Sequence, residues 1–215
     1  MAVRVAPWLL RVEREKIMDF RMLIIIMMSA ALVNNYVLIR FLGVCPWLGV
    51  SKDLKNAVGM SCAVIFVMIM ASAVTWPMYV FLLEPNGLGF LQIVAFIIII
   101  ATLVQLVEIV LKRFIPALYR SLGVFLPLMT TNCAIIAVVL TNISESYSFL
   151  ESLTHALGAG LGFLLAMVIF SGIRVYTESP NAPASFRGLP LALISAAILS
   201  MAFFGFAGVV ENMFS

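Results

Sequence analysis

The chain has 215 residues, 64% of them apolar and only 11% charged, with a mean hydropathy of +1.16. No water-facing domain carries that composition on its surface, so the sequence describes an all-α integral membrane protein with the lipid bilayer as its first partner. A net charge of +3, with the basic residues lying between apolar runs and not along a stripe, excludes nucleic acid as a partner.

The opening, MAVRVAPWLLRVEREKI, is mixed in charge and precedes Met18, from which DFRMLIIIMMSAALV reads as a membrane entry. Residues 1–17 are therefore expected to be an extension, non-native or disordered, ahead of a single six-helix domain over 18–215. A cleaved signal peptide is the rival reading, and it is disfavoured because the apolar run continues past Ser29 and Ala31.

Apolar windows predict six spans, at about 19–40, 57–83, 90–111, 119–141, 153–175 and 189–211. The connections after spans 1, 3 and 5 carry Arg40, Lys52 and Lys55, then Lys112, Arg113 and Arg120, then Arg174 and Arg187. The loops around Glu84, from Glu145 to Glu151 and near Glu211 contain no Lys or Arg. The bias in basic residues predicts both termini on the non-cytoplasmic side, and only the Arg-containing extension before Met18 conflicts with it.

Polar residues interrupt two of the spans in the same way. ALVNNYVLI (31–39) sets two asparagines in span 1, and LMTTNCAII (128–136) does the like in span 4; aligning Asn35 with Asn132 fixes an offset of 97 residues. That offset carries the centre of span 2 into span 5 and of span 3 into span 6. The expected architecture is a 3+3 repeat, with halves at about 18–113 and 114–215. Three is odd, so the second half is inverted in the membrane. Both leading spans are also overlong and contain breakers, Gly43 and Pro46 in the first and Gly123 and Pro127 in the second, which predicts discontinuous helices.

The three cysteines, Cys45, Cys62 and Cys133, fit neither a disulfide framework nor a CxxC knuckle. A membrane cysteine is ordinarily a small buried hydrophobe, and Cys62, in the regular stretch GMSCAVIFV, is read as one. Cys45 and Cys133 differ because each lies in a broken leading span, one per half, where an inverted twofold would bring them together. Two thiolates are half of an iron–sulfur ligand set, which raises the hypothesis of a mid-membrane cluster completed by another chain.

VNNYVLIRFLGVCPWLGVSK, QLVEIVLKRFIPALYRSLGVFLPLMTTNCAI and SFRGLPLALISAAILSMAFFGFAG closely resemble the A subunits of Rnf complexes, and more distantly the E subunits of sodium-translocating NADH:quinone oxidoreductases. The resemblance runs from about Met18 to the C-terminus. It implies an ion-pumping ferredoxin:NAD oxidoreductase of bacterial inner membranes, in which this subunit pairs with a homologous one of opposite orientation, of the Rnf E type, among other Rnf subunits. It also implies that Cys45 and Cys133 share a [2Fe–2S] cluster with two cysteines of that partner.

Among the other candidates, Glu108, beside Gln105 near the end of span 3, is an intramembrane carboxylate that marks an ion pathway or, four residues before Lys112, forms a helical ion pair. Asn34, Asn35, Thr130, Thr131 and Asn132 are candidates to donate hydrogen bonds to cluster sulfurs, with helix capping as the rival role. Gly158, Gly160 and Gly162 follow no strand and are no phosphate loop; Gly158 and Gly162 are expected to allow close helix approach. His155 is expected to be solvated at a span entry. No catalytic residue and no nucleotide site are expected in this chain. The readings carried forward are an electron-transfer membrane subunit, a small inverted-repeat secondary transporter, and a cofactor-free scaffold.

Overall fold

The structure, a computed structural model, describes residues 20–45, 49, 54–85, 89–114, 132–177 and 188–214, and every regular element among them is helical. Helix α1 (Phe20–Met28) continues through a π-helical turn, Ser29–Val33, that closes with the Asn34 amide on the Ser29 carbonyl at 2.7 Å. Helix α2 (Leu54–Met78) also ends in a π-helical turn, Tyr79–Leu83. Pro77, which has no amide hydrogen to give, sits just before that turn, where it disturbs the ladder. A 3₁₀ turn (Gly89–Leu91) leads into α3 (Gln92–Phe114), and α4 (Cys133–Ser144), α5 (Phe149–Thr177) and α6 (Leu189–Phe214) complete the order.

Among the described residues, three helices are long and apolar enough to cross a membrane: Leu54–Leu83, Gln92–Val110 and Phe149–Val175. Met22–Val33, Cys133–Ser144 and Pro190–Gly205 are shorter apolar stretches. The expected first span, to residue 40, therefore stops at Val33, because the chain breaks at Asn34 and Asn35, ahead of Gly43 and Pro46. The first part of the expected fourth span, with Arg120, Gly123, Pro127, Thr130 and Thr131, lies outside the described residues, as do residues 1–17, Pro46, Lys52 and Arg187.

Helices α2 and α5 form the centre. Ala57, Met60, Val64, Met68 and Ala71 of α2 are buried, as are Ala156, Ala159, Phe163, Met167 and Phe170 of α5. Small residues let the backbones close up: a Cβ on Gly160 would come within 2.8 Å of Ile65, while one on Gly158 or Gly162 would come within 2.5 and 2.8 Å of the Met27 and Ala31 carbonyl oxygens. Thus α5 is clamped between α1 on one face and α2 on another. The spanning part of α3 is only 22% buried, against 56% for α5, and only the stripe Phe96, Ile100, Val104 and Val107 is packed. Its outward face, with Ile93, Ile97, Ile98, Leu106 and Ile109, is exposed, as suits lipid or a neighbouring protein.

The indole of Trp76, near the end of α2, donates to the Tyr147 carbonyl just before α5, so the two helices run antiparallel. Lys55 at the start of α2 and Arg174 at the end of α5 consequently share one end of the bundle, and α3, returning from the end of α2, brings Lys112 and Arg113 to it. Glu84, Glu145 and Glu151 gather at the other.

Candidate functional site

In hydrocarbon, a broken helix must satisfy its freed backbone groups from within the protein. Asn35 does this for the first break. Its Oδ1 accepts from the amides of Val37 and Leu38 at 3.0 and 3.3 Å, and its Nδ2 donates to the carbonyls of Ala31 and Gly162 at 3.2 and 2.8 Å. Asn132 plays the same part before α4, where its Oδ1 accepts from the Ala134 amide at 3.0 Å as the N-cap. Both asparagines thus accept from the amide two residues on, at the two positions aligned from sequence. The capping role is the observed one for Asn35 and for the Asn132 oxygen. Asn132 Nδ2 remains buried with no hydrogen-bond partner among the described residues.

After the first break the chain turns through Tyr36–Phe41, with Phe41 in the left-handed region at φ +54°, and the Ser200 hydroxyl of α6 holds the Leu38 carbonyl. Gly43, also left-handed at φ +83°, then brings its backbone onto the start of α4. Its amide donates to Cys133 Sγ at 2.9 Å. A Cβ there would meet Phe163 Cε2 at 3.1 Å, Ala134 Cβ at 3.2 Å and Asn132 Oδ1 at 3.3 Å, so only glycine fits this approach. Phe163 is the central residue of Phe149–Thr177, which sets this junction at mid-depth of the longest helix.

The chain beyond the first break and the start of α4, 90 residues apart, therefore meet at Cys133, and Cys45 lies two residues beyond the amide that touches it. Cys45 is exposed and Cys133 half-exposed, so both thiols reach a surface where another chain can approach. Cys133 is the first residue of α4, where the positive end of the helix dipole favours a negatively charged ligand set. Among the described residues no three His, Cys, Asp or Glu side chains are grouped as a metal site. Cys62 lies apart on α2, exposed beside Phe66 and, from α3, Leu103 and Leu106. On α3, Glu108 is half-buried and Gln105 exposed.

Three sequence expectations change. Cys62, read as a buried hydrophobe, is exposed at the gap between α2 and α3, because α3 covers that face of α2 incompletely. His155 is not solvated: it is 5% exposed, with Nε2 at 3.3 Å from the Tyr36 hydroxyl and Nδ1 at 2.6 Å from Asn142 Oδ1. The polar partners that bury it come from other places in the sequence, so its neighbours along the chain gave no sign of them. Arg40 was expected on the side opposite Glu145. Instead its guanidinium carbon lies 5.3 Å from the Tyr36 ring centroid, and the two residues line one cavity of about 310 Å³ with Asn34, Thr141, Tyr147 and His155. The turn at Tyr36–Phe41 carries it there. A charge count along an unbroken span cannot foresee such a reversal.

The profile of the family described as "Rnf-Nqr subunit, membrane protein" matches residues 23–210. The chain is 53% identical over 187 residues to the A subunit of the Na(+)-translocating ferredoxin:NAD(+) oxidoreductase complex of Acetobacterium woodii, covering 87% of this chain and 97% of the relative. It is 51% identical over 190 residues to the A subunit of the ion-translocating oxidoreductase complex of Syntrophotalea carbinolica, covering 88% and 98%. The protein of the same description from an Azoarcus species is 46% identical over 189 residues, covering 88% and 98%. With that match over most of its length, the chain belongs to the Rnf-Nqr family of membrane-protein subunits.

Proposed function

We propose that this chain is the A-type membrane subunit of an ion-translocating ferredoxin:NAD oxidoreductase complex in a bacterial inner membrane, and that electrons cross the bilayer through it. The observation that carries the reading is the Gly43 amide on Cys133 Sγ, which joins the cysteine-bearing segment after the first break to the cysteine at the start of α4. Cys45 and Cys133 supply half the ligands of a [2Fe–2S] cluster, and two cysteines of a homologous membrane subunit of inverted orientation supply the rest. Other Rnf subunits hold the ferredoxin and NAD sites.

When bound, the cluster supplies a one-electron relay. The residues around it set its charge environment. The Gly43 amide donates to a ligand sulfur, the start of α4 adds the positive end of its dipole, and Asn132 Nδ2 is a buried donor in want of an acceptor. Each of these favours the more negative, reduced state.

The 3+3 inverted repeat supports the pairing. Helices α2 and α5 begin 95 residues apart and α3 and α6 begin 97 apart, close to the offset between Asn35 and Asn132. The end bearing Lys55, Lys112, Arg113 and Arg174 is cytoplasmic in this reading, and the Glu84–Glu145–Glu151 end faces outward with both termini. Glu108, one turn from Lys112, is the candidate for ion handling at the cytoplasmic end.

The test is electron paramagnetic resonance of the purified complex. Cys45→Ala and Cys133→Ala each abolish the signal of the membrane cluster, and Cys62→Ala leaves it. A signal that survives both changes removes the assignment.

A further inference from the structure

Most of the bundle interior is apolar, yet the cavity of about 310 Å³ beside α1 is lined by Ser29, Asn34, Tyr36, Arg40, Thr141 and Glu145, with Tyr147 and His155 behind them. Glu145 and Tyr147 stand at its rim, in the turn between α4 and α5. Its other end is deep. Helix α1 lies along α5 with Met27 opposite Gly158 and Ala31 opposite Gly162, so Asn34, three residues further, is level with the middle of α5. A polar cavity running from a loop to mid-depth, where a broken helix turns, is one that water fills.

The charges in it can be assigned. Asn142 Nδ2 donates to the Ser72 hydroxyl at 3.2 Å and the Ser152 carbonyl at 3.4 Å, so its Oδ1 is an acceptor. His155 therefore donates its Nδ1 hydrogen to Asn142, while its Nε2 lies 3.3 Å from the Tyr36 hydroxyl. Both ring nitrogens of the imidazole are thus partnered. Tyr36 and Tyr147 are neutral phenols, and Glu151, beyond the rim, accepts from the Ser148 amide at 2.8 Å. Of the groups lining the cavity only Glu145 and Arg40 are charged, the carboxylate at the rim and the guanidinium over Tyr36 on the way in.

We infer that this cavity is an aqueous vestibule leading from the Glu145 rim to the helix break at Asn34, and that Arg40 is an electrostatic plug that bars monovalent cations from its inner half. It rests on the reading of the chain as part of an ion-translocating complex, in which an open polar path to mid-depth would leak. Arg40 and Asn34 are themselves exposed, so the charge acts through a partly solvated space. Beside the apolar bundle it still repels cations at several ångströms more strongly than in bulk water, and acts on every cation alike. Glu145 at the rim gathers cations; Arg40 stops them.

The experiment measures water access and charge selectivity directly, in the whole complex reconstituted in lipid nanodiscs that leave both faces open. Asn34→Cys, with Ser29→Cys as a second site, is exposed to methanethiosulfonates carrying either a trimethylammonium or a sulfonate group, and the labelling of the otherwise unaltered complex is subtracted. We expect both reagents to react, with the sulfonate about ten-fold faster. Arg40→Gln cancels or reverses that preference and Arg40→Lys retains it. If neither introduced thiol reacts, there is no vestibule. If the two reagents react alike, or their ratio is unchanged by Arg40→Gln, Arg40 is no plug. The cluster signal recorded on the same samples is independent of these rates, so its absence would count against the proposed electron relay alone.

Discussion

Gly43 sits where three side chains converge and where φ is positive, two demands that no other residue meets without strain. Gly43→Ala is expected to cost about 1–2 kcal/mol from the left-handed backbone alone, and more as Phe163 and Ala134 give way. Because the Gly43 amide holds Cys133, the same change should weaken or shift the signal of the proposed cluster in a complex that still assembles. Asn132 separates two roles that one side chain combines. Asn132→Ala removes the cap of α4, at about 1 kcal/mol. Asn132→Asp keeps the cap, loses the buried Nδ2 donor and adds negative charge, so the midpoint potential of the proposed cluster in a redox titration should fall. An unchanged potential would mean that Nδ2 points elsewhere. At His155, the informative change is in its partner: Asn142→Leu leaves the Nδ1 hydrogen buried with no acceptor and should lower stability by about 1–3 kcal/mol in a thermal-shift measurement.

At the scale of the helix, the glycines of α5 sort by what stands opposite. Gly158 and Gly162 face the carbonyl oxygens of α1, which are backbone and cannot rotate aside, whereas nothing lies within 4 Å of a Cβ built on Gly172. Gly158→Val or Gly162→Val should therefore push α1 away, at about 3 kcal/mol, the upper part of the range for overpacked sites. Gly172→Ala should instead stabilise the helix by about 0.5–1 kcal/mol. Melting temperatures of the three variants in one detergent decide this; equal effects would mean that α1 does not lie on α5 as described. The α1–α5 contact is also what fixes the broken segment, since Asn35 reaches the Gly162 carbonyl only at that separation.

For the molecule as a whole, the basic and acidic ends of the bundle give an orientation that can be measured. A C-terminal alkaline phosphatase fusion is expected to be active and a C-terminal green fluorescent protein fusion dark, as for a terminus outside the cytoplasm. The opposite result would reverse the orientation without disturbing the fold. The outer face of α3 and the two thiols are open to lipid or to neighbouring subunits.

Composition and apolar run length by themselves determined the membrane class and the positions of α2, α3 and α5, because a bilayer sets helix length directly and these three runs meet it. The paired asparagines were legible too, since an amide side chain in hydrocarbon needs a backbone partner, and the sequence marks where the helices break. Tertiary structure alone decided the course of the chain beyond the break at Asn34 and Asn35. The hydrogen bond from Gly43 to Cys133, the burial of His155 and the swing of Arg40 toward Glu145 all depend on where a turn of a few residues sends the backbone. Contacts between segments 90 or more residues apart leave no periodicity to read, because each arises from packing that neither segment encodes alone.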